Sequence, residues 1–580
     1  MNYDQELQGE KYLWCQKTHD THAIVDLAQR YNVMPSVIET LATRGMTTHE
    51  AIDEFLFAPA EQIISDPSIM QDAEKAIERI ERAIKDKEKI LIAGDYDVDG
   101  VTSSALMLAC LVPLGAQVNF FLPHRQRDGY GLSVRTIQRA VASGYTLIIT
   151  VDNGITAYEP ALEAKRLGID LIITDHHRPG AELPDAYAVV DPHRADCKYP
   201  FKYFAGVGIS FKLMSLLYQR CNKQLPEKVY ELLMLGTIAD VVPLVGENRY
   251  WVRHGLQRVN ATESMSLQLL KENARFVKPK LSSRDVGFYL TPQINALGRL
   301  DDARSAVMFL LGVNLDEMTP VATRLAELNA TRKQVEASVV KDIITTIESG
   351  ELDLKQHAVL VTAQSGWPAG VVGLAASRLV GLYSRPAIVL HLNQDGIAKG
   401  SCRSVPEVDM FALLGQVSDL LISFGGHPMA AGLSMAAENI PLLRQRLHDI
   451  LQSQIDVTSL KQRIYVDANL TLPDVNKRLM SDIAQLEPFG ASHQEPLFHI
   501  RNVNLVNEPQ LLKDAHVKGM IFAEGVLKPV IFFNRPELYQ RFLRHGLEPF
   551  SLAATVTENH WNGKRNIEFC GVDVAGLVSL

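Results

Sequence analysis

Short β-rich runs alternate with helical segments in the first third of the chain, and this alternation restricts the fold more than any other sequence feature. The β-rich runs are KILIAG, QVNFFLP, YTLIITVD, IDLIITD and AYAVVDP. The helical segments VTSSALMLACLVPLG, LSVRTIQRAVASG and AYEPALEAKRLG separate the first four runs. Strands that alternate with helices pair as a parallel sheet, because each helix returns the chain to the same edge. The sequence therefore predicts an α/β lobe built on a parallel sheet.

The whole chain predicts a plan of five segments. We expect an N-terminal helical segment over residues 1–64, a catalytic α/β lobe over 65–312 and a long connecting helix over 313–352. A second α/β pattern predicts another lobe over 353–455, and short strands with turn signals predict a β-barrel over 460–580. The predicted fold class is α/β, with two lobes joined by a long helix and a C-terminal barrel.

Charge and cysteine content exclude several classes of protein. The 580 residues carry a net charge of −9, which argues against a surface that wraps nucleic acid everywhere but permits a local basic channel. Six cysteines lie scattered without a C-x-x-C pair, which suits a reducing compartment and offers no thiolate zinc site. The polar start MNYDQELQGEK and the lack of an apolar run of ~18 residues predict a cytoplasmic protein without membrane contact. We also expect a monomer.

Acidic and histidine side chains follow three of the predicted strands at the point where each strand ends. The first strand leads into GDYDVDG, the third into VDNGI and the fourth into TDHHRPG, and a further acid lies in the apolar stretch GTIADVVPL. The residues concerned are Asp95, Asp97, Asp99, Asp152, Asp175, His176, His177 and Asp240. Because ligands bind beyond the carboxyl ends of parallel strands, we expect these side chains to meet in one crevice.

This set of side chains is rich in oxygen and contains imidazole but no thiolate. Carboxylates with imidazole favour Mn²⁺ or Mg²⁺ over Zn²⁺. Four or five acids exceed what one ion needs, whereas two ions about 3.5–4 Å apart would use them all. The sequence therefore predicts two divalent metal ions, Mn²⁺ or Mg²⁺, in a site that hydrolyses a phosphoester.

Each of these residues also has an ordinary structural interpretation. An aspartate after a strand commonly caps a helix or starts a turn, a histidine pair is commonly structural, and Asp240 could cap a helix or pair with an arginine. DVDGV also resembles the aspartyl nucleophile loop of haloacid-dehalogenase-type phosphatases, but that interpretation leaves Asp95, Asp240 and the histidines without a role. Acids or histidines at three successive strand ends favour the metal site.

The same stretches resemble known motifs. GDYDVDG, VDNGI, TDHHRPG and GTIADVVPL, in this order, resemble the motifs of the DHH phosphoesterase superfamily. PQINALGRLDDA, GSCRS, GGHPMAAG and EPFGASHQEPLF resemble, within it, the RecJ family of bacterial single-strand-specific 5′→3′ DNA exonucleases. The resemblance implies a DHH lobe, a DHHA1 lobe and an OB-like domain. It also implies two-metal degradation of single-stranded DNA to 5′-mononucleotides in DNA repair and recombination, with single-strand-binding protein and a helicase as partners.

The resemblance assigns roles to the metal-site residues. Asp97 and Asp99 bind the two ions, Asp152 bridges them, and His176 and Asp240 complete the second site.

Asp95 and His177 lie near these ligands and have less direct expected roles. Ala93 stands where related proteins have a histidine ligand, so Asp95 is expected to support the first metal site, directly or through water. His177 is expected to orient a ligand or to contact the substrate phosphate.

The resemblance also implies contacts with the substrate outside the metal site. Gly425 and Gly426 would admit a phosphate close to the backbone, and His427 and Arg403 would donate to it. Arg299 would be a further phosphate contact, with a salt bridge to one of the two aspartates after it as its structural alternative.

The remaining predicted contact is aromatic. Trp561, in the hairpin NHWNGKRN with Lys564 and Arg565, is a stacking candidate in the OB-like domain, although an ordinary exposed hairpin has the same composition. Pro368 stands where the family often has a histidine. We therefore do not expect Pro368 to make the contact that this histidine makes in the family.

Two other functions stay open at this point. Another DHH phosphodiesterase would cleave short oligonucleotides or cyclic dinucleotides, but the extra β domain argues against it. A non-catalytic nucleic-acid-binding relative would be expected to lack metal ligands, and here the expected acids and His176 are present.

Overall fold

The computed structural model describes residues 4–124, 129, 131–312, 314–350, 352–354, 357–455, 462–561 and 564–578. Its strands are β1 Gln5–Gln8, β2 Leu13–Gln16, β3 Lys89–Ala93, β4 Gln117–Phe121, β5 Leu147–Val151, β6 Asp170–Thr174, β7 Ala188–Val190, β8 Leu360–Ser365, β9 Ala387–Leu392, β10 Ile397–Arg403, β11 Leu421–His427, β12 Ala430–Ala436, β13 Arg463–Val466, β14 Ala468–Asn469, β15 Phe498–Leu505, β16 Gln510–Leu512, β17 His516–Ala523, β18 Val526–Phe532, β19 Phe550–Trp561 and β20 Lys564–Ala575.

Its α-helices are α1 Thr21–Tyr31, α2 Pro35–Thr43, α3 His49–Phe57, α4 Ala60–Ile63, α5 Ala73–Lys85, α6 Val98–Leu111, α7 Val134–Ala142, α8 Tyr158–Leu167, α9 Gly206–Arg220, α10 Lys228–Ala239, α11 Gly246–Ala261, α12 Met265–Asn273, α13 Ser283–Asp285, α14 Thr291–Leu300, α15 Arg304–Leu311, α16 Leu315–Glu348, α17 Val372–Tyr383, α18 Met410–Gly415, α19 Ile440–Gln454, α20 Lys477–Ala484 and α21 Glu537–His545. The chain forms two compact units. Unit 1 comprises Met1–Gly45, Ala330–Met480 and Pro496–Leu580, and unit 2 comprises Met46–Asn329 and Ser481–Glu495.

The predicted parallel sheet lies in unit 2. Its five strands have the order β4-β3-β5-β6-β7, and every neighbouring pair is parallel. Apolar residues of α5, α6 and α9 cover one face, and those of α7 and α8 cover the other. Burial of both faces explains why β3, β5 and β6 carry runs of Ile, Leu and Val rather than alternating patterns, whereas the edge strand β4, QVNFF, is partly exposed. The predicted α/β class is confirmed.

The order of the strands reverses next to β3. From β3 the chain passes to β4 on one side, then crosses to β5 on the other side and continues outward to β6 and β7. In open α/β sheets such a reversal opens a crevice at the carboxyl ends of the two strands involved. The loops that follow β3 and β5 therefore border the same crevice, and these are the loops that carry the clustered aspartates.

Unit 1 contains the second predicted lobe and the barrel. The lobe has a five-stranded sheet in the order β11-β12-β10-β9-β8, in which β8 and β9 are parallel and the other pairs are antiparallel. In the C-terminal domain, β15, β19, β20, β18 and β17 form a closed barrel, because β17 pairs back to β15. Both predicted architectures are confirmed.

The predicted long connecting helix corresponds to α16, which has 34 residues and contains Pro320. Its surface carries charged residues along most of its length. Among the described residues, no helix is both long enough and apolar enough to cross a membrane.

The first residues of the chain differ from the predicted helical segment. Helices α1 to α4 occupy most of residues 1–64, but β1 and β2 form an antiparallel hairpin before them. Strand β2 also pairs in parallel with β13, which lies more than four hundred residues further along the chain. The prediction was wrong for this stretch because the partner that makes it a strand is not local in sequence.

A buried carboxylate fixes this hairpin to the barrel within unit 1. Asp573, which is fully buried, accepts hydrogen bonds from the Trp14 indole N–H at 3.0 Å and from the Tyr12 backbone N–H at 3.0 Å. The Arg535 guanidinium lies 3.3 Å from the same carboxylate and is itself largely buried. The charge of Asp573 is therefore compensated by a cation and by N–H groups of the hairpin.

We expect Asp573→Ala to lower the free energy of unfolding of unit 1 by about 3 kcal/mol, because one partner of a buried ion pair is removed and the other stays buried. The matched control is Asp419→Ala, since Asp419 pairs with Arg446 on the surface of the same unit and exposed pairs contribute little. Chemical denaturation followed by tryptophan fluorescence measures both. Equal midpoints for the two variants would contradict the role of Asp573.

Candidate active site

The loop after β3 places its aspartates around the first turn of α6. Asp97 is the N-cap of this helix, and its Oδ1 accepts the backbone N–H groups of Asp99 at 2.9 Å and Gly100 at 3.1 Å. The structural interpretation of Asp97 as a cap is therefore correct. The cap uses one carboxylate oxygen, so the cap and a metal-binding role are compatible.

Asp99 lies in the first turn of α6 and is held by a second helix. Its two carboxylate oxygens accept the backbone N–H groups of Gly206, at 2.6 Å, and of Val207, at 2.8 Å. These donors belong to the first turn of α9, where the helix dipole favours a negative charge. Asp99 is thus fixed in position and is 1% exposed.

Asp152 follows β5 directly and has a left-handed backbone, with φ of 60°. Non-glycine residues adopt this conformation at a cost in energy, and such positions concentrate at functional sites. The carboxylate is nearly fully buried, and its Oδ1 lies 3.1 Å from Nε2 of His176. The backbone of Asp152 therefore turns its side chain into the crevice.

His176 brings the two halves of the carboxylate cluster together. Besides Asp152, its Nε2 atom lies 3.7 Å from Asp240 and 3.8 Å from Asp99. This nitrogen is buried and has no hydrogen-bond partner among the described residues. A buried ring nitrogen aimed at three carboxylates without a hydrogen bond is the geometry expected of a metal ligand.

Asp240 ends α10 and is followed by an unusual residue. Val241 has φ of 59°, a conformation that is a clear outlier for a β-branched side chain. Its side chain is 69% exposed, although it is apolar. The left-handed turn ends the helix at Asp240 and leaves the carboxylate at the rim of the crevice, where it is 24% exposed.

Asp175 organises the DHH segment through hydrogen bonds and lies beside Asp152, His176 and His177. Its Oδ1 accepts from the backbone N–H of His176 at 2.8 Å and pairs with Nδ1 of His177 at 2.7 Å, and its Oδ2 accepts from Ile155 N–H at 2.9 Å. Burial alone would lower the pKa of His177, but the hydrogen bond to Asp175 raises it to about 9. The His177 side chain is 39% exposed, so it is accessible from solvent.

The ligand atoms form three groups in which all members lie within 4.8 Å of one another, and one of them is Asp152, Asp175, His176 and His177. The other two are Asp95, Asp97 and Asp152, and Asp99, His176 and Asp240. Asp152 belongs to the first two groups and contacts the third through His176. Two cations with one shared carboxylate fit this arrangement.

Burial and mutual repulsion shift the pKa values of these groups. Burial, with the charge of Asp97, raises the pKa of Asp99 to about 7. Burial and neighbouring carboxylates raise the pKa of Asp152 and of Asp240 well above the usual range. Burial beside His177 lowers the pKa of His176 to about 3, so its imidazole is neutral. Divalent cations stabilise ionised carboxylates and accept a neutral imidazole lone pair, so the donor set fits such ions.

Gly206 is a functional residue that the sequence reasoning missed. A Cβ atom at this position would lie 2.5 Å from Cβ and 2.8 Å from Cα of Asp152. The glycine therefore lets the first turn of α9 approach both Asp99 and Asp152. No local sequence signal distinguishes it from other glycines in an apolar stretch.

The predicted phosphate contacts in unit 1 lie in one row of the mixed sheet. Arg403 on β10 and His427 on β11 are both opposite Ala430 on β12. Residues directly opposite one another in a sheet point to the same face, so these two side chains share a face. Arg403 is half-buried, and burial lowers its pKa. Its guanidinium Nη1 donates to the carbonyl of Cys402 at 2.8 Å, which leaves further donors on the fork.

The predicted glycines have different environments. Gly426 has φ of 141°, and a Cβ there would lie 2.5 Å from the Ala430 carbonyl, so the tight hairpin requires glycine. At Gly425 a Cβ would meet nothing within 4 Å. Both residues are exposed on β11 and leave the backbone accessible beside His427.

The last two predicted contacts have different outcomes. Arg299 lies in the last turn of α14 in unit 2, while Asp301 pairs with Arg324 at 2.9 Å and Asp302 with Arg304 at 2.8 Å. Trp561 is the last residue of β19, but its side chain lies outside the described part of the structure.

Comparisons with known families agree with this architecture. The profile of the DHH family, N-terminal domain, matches residues 89–237, that of the DHHA1 domain matches 356–453, and that of the RecJ OB domain matches 466–573. Together with carboxylates and a histidine at the ends of parallel strands, these matches define the chain as a member of the DHH class of proteins.

Whole-chain comparisons narrow this class to one family. The single-stranded-DNA-specific exonuclease RecJ of Bacillus subtilis is 37% identical over 572 residues, which cover 98% of this chain and 71% of that protein. The protein of the same name from Escherichia coli is 33% identical, with 92% of this chain and 95% of that protein covered. The chain belongs to the RecJ family.

A solved structure gives the same result for the fold. The crystal structure of RecJ in complex with Mn²⁺ from Thermus thermophilus superposes with a TM-score of 0.82 at 26% identity. The match covers 98% of this chain and 80% of that one.

We expect Gly206→Ala to reduce nuclease activity by about 10²-fold, because a shift of about 1 Å in catalytic groups has an effect of this size. Gly381→Ala is the matched control, since a Cβ at this helical glycine meets nothing within 4 Å. Activity and circular dichroism are measured for both variants. Full activity of Gly206→Ala would contradict the packing argument.

Removal of divalent ions should make stability depend on pH in a defined direction. A carboxyl whose pKa is higher in the folded than in the unfolded state stabilises the fold when protonated, and that contribution is lost as pH rises. Because the pKa of Asp99 is raised to about 7, we expect the chelated chain to melt at a lower temperature at about pH 8 than at about pH 6.

Added Mn²⁺ should remove this difference, because it neutralises the ionised carboxylates. Asp152→Asn should reduce the difference in the chelated chain, while Asp185→Asn, on the exposed surface of unit 2, should leave it unchanged. A melting temperature that rises with pH in chelator would refute the repulsion argument.

Proposed function

We propose that this chain is a two-metal exonuclease that degrades single-stranded DNA from the 5′ end and releases 5′-mononucleotides. The observation that carries this proposal is the position of Asp152 between two ligand groups at the switch point of the parallel sheet. Membership of the RecJ family, whose relatives in Bacillus subtilis and Escherichia coli are named single-stranded-DNA-specific exonucleases, supports the choice of substrate.

The metal ions would be Mn²⁺ or Mg²⁺, as the oxygen-rich donor set favours. Asp95 and Asp97 would hold one ion, Asp99, His176 and Asp240 the other, and Asp152 would bridge them. When bound, the ions polarise the phosphate and make water a stronger nucleophile. The Mn²⁺ complex of the Thermus thermophilus relative supports the choice of a divalent metal ion.

The residues of the chain supply position and charge. The first turn of α9 holds Asp99 rigidly through two backbone N–H groups, so this ligand does not have to reorganise during the reaction. Asp175 orients the His177 ring, which would donate a hydrogen bond to a phosphate oxygen. The neutral ring of His176 keeps its Nε2 lone pair directed at the carboxylate cluster.

Contacts with the strand would come from the other predicted residues. Arg403 and His427 share one face of their sheet, and a planar guanidinium suits phosphate oxygens. Gly425 and Gly426 would admit a phosphate to the backbone, and Arg299 would add a further cationic contact. Trp561 would stack on a base in the OB domain.

The cellular setting is also part of the proposal. We infer a monomer in the cytoplasm that acts in DNA repair and recombination with single-strand-binding protein and a helicase. The six free cysteines support a reducing compartment.

A panel of substrates tests the reaction. The purified chain is incubated with single-stranded DNA, the same strand blocked at its 5′ or its 3′ end, duplex DNA, RNA and a cyclic dinucleotide, with Mn²⁺ or Mg²⁺. We expect 5′-mononucleotides from single strands with an accessible 5′ end. Degradation that survives a 5′ block, equal attack on duplex, or preference for the cyclic dinucleotide would overturn the proposal.

A variant tests the shared carboxylate. We expect Asp152→Ala to abolish hydrolysis, because both ions lose a ligand, while binding of single-stranded DNA persists. Calorimetric titration with Mn²⁺ should show weakened metal binding, a readout that does not depend on activity. Asp185→Ala is the matched control, since this exposed acid pairs with Lys165 on the surface. Retained hydrolysis in Asp152→Ala would exclude the bridging role.

A further inference from the structure

A cavity of about 320 Å³ lies in unit 2, outside the set of proposed metal ligands. Four cationic or imidazole side chains line it, namely His124, Arg135, Arg139 and Arg304, together with the single acid Asp302. Its volume is at the lower end of the range of small-molecule sites. If His124 is neutral, the lining carries three positive guanidinium groups and one negative carboxylate, so its net charge is positive.

The cavity opens at the same edge of the sheet as the metal centre. Phe121, which also lines it, is the last residue of β4 and pairs with Ala93 at the end of β3. The backbone N–H of Gly94 donates to the Phe121 carbonyl at 3.0 Å, immediately before the aspartate loop begins. The cavity is therefore one strand away from the carboxylate cluster, at the edge of the sheet where ligands bind.

The arginines of the cavity differ in how their charges are compensated. Arg304 pairs with Asp302, with its Nε 2.8 Å from Oδ2. Arg135 and Arg139 lie four residues apart on α7, so they share a face, and like charges in this relation repel. Neither forms an ion pair with any carboxylate in the part of the chain that the structure describes. An anion in the cavity would relieve this repulsion.

The lining is not uniformly polar. Phe121 is half-buried and Leu122 is nearly fully buried, and both contribute apolar surface. Guanidinium groups bind phosphate oxygens through two parallel hydrogen bonds, and apolar surface beside them suits a sugar or base. A nucleotide combines these two chemical features.

We propose that this cavity binds the phosphate of a nucleotide through Arg135 and Arg139. The inference rests on the proposed nuclease function, which brings phosphates to the same edge of the sheet. The phosphate has two sources there: the backbone of the bound single strand, or the released 5′-mononucleotide. In both cases the cavity holds a phosphate that is not the one being cleaved.

The test compares Arg135→Gln/Arg139→Gln with the control Arg82→Gln/Arg166→Gln. The control removes the same charge from exposed arginines of α5 and α8, which are 51% and 65% exposed. Both double variants are checked by circular dichroism and thermal melting. Arg135→Lys/Arg139→Lys keeps the charge without the planar fork and reports any fold defect of the glutamine variant.

Two measurements distinguish the sources of the phosphate. The first is the affinity of the full chain for 5′-dAMP by calorimetry, in Mn²⁺ and again in chelator, where the carboxylate cluster repels phosphate. The second is KM and kcat for a single-stranded oligonucleotide in Mn²⁺.

We expect the glutamine variant to lose at least about tenfold in one of these quantities, because a charge-assisted hydrogen bond contributes about this much. A weaker 5′-dAMP affinity with unchanged KM assigns the cavity to the product. A raised KM with unchanged kcat and 5′-dAMP affinity assigns it to the strand.

Unchanged values in both measurements, or an equal loss in the control, would overturn the inference. The proposed function fails separately, if the wild-type chain degrades no single-stranded DNA. The 5′-dAMP measurement in chelator does not depend on that activity.

Discussion

Repulsion between buried carboxylates is the constraint on which the rest of unit 2 depends. Asp99 and Asp152 are almost completely buried, and burial with mutual repulsion raises the pKa of both. A fold can keep such groups together only if rigid elements hold them and cations compensate them. Here the carboxylate of Asp99 is held by the first turn of α9. The carboxylate of Asp152 is positioned by the sheet edge and by its own left-handed backbone. The fit to two divalent cations follows from that geometry and agrees with the family to which the chain belongs.

The sequence signals that point to this site are local. Asp152 and Asp175 directly follow apolar strands, and Asp95 and Asp97 lie in the loop after another strand. The carboxyl ends of parallel strands converge whatever the loops between them do. Asp97 and Asp240 also have the structural positions at helix ends that were the alternative to metal binding. Asp97 caps α6, and Asp240 ends α10. Capping and metal binding do not exclude one another, because a carboxylate has two oxygens and can serve in both.

The features that escaped prediction depend on contacts between distant segments. Gly206 matters because Asp152 lies within 3 Å of where its Cβ would be, and these residues are far apart in the sequence. Strand β2 needs β13 as a partner. The positive cavity joins Phe121, Arg135 and Arg304, which are brought together from the sheet edge and from the starts of two helices. Periodicity and composition carry no information about such approaches, so these elements become visible only in the folded chain.

The bond between Trp14 and Asp573 has a consequence for how the protein is made. These residues are separated by 559 positions, and a ribosome adds about 5–20 residues per second, so roughly half a minute to two minutes pass between their syntheses. During that interval β2 also lacks β13, and its unpaired edge is open to wrong partners. The nascent hairpin does not have both of these partners until 559 residues after Trp14 have been synthesised. The hairpin is therefore exposed to mispairing until β13 and the barrel strands have been synthesised.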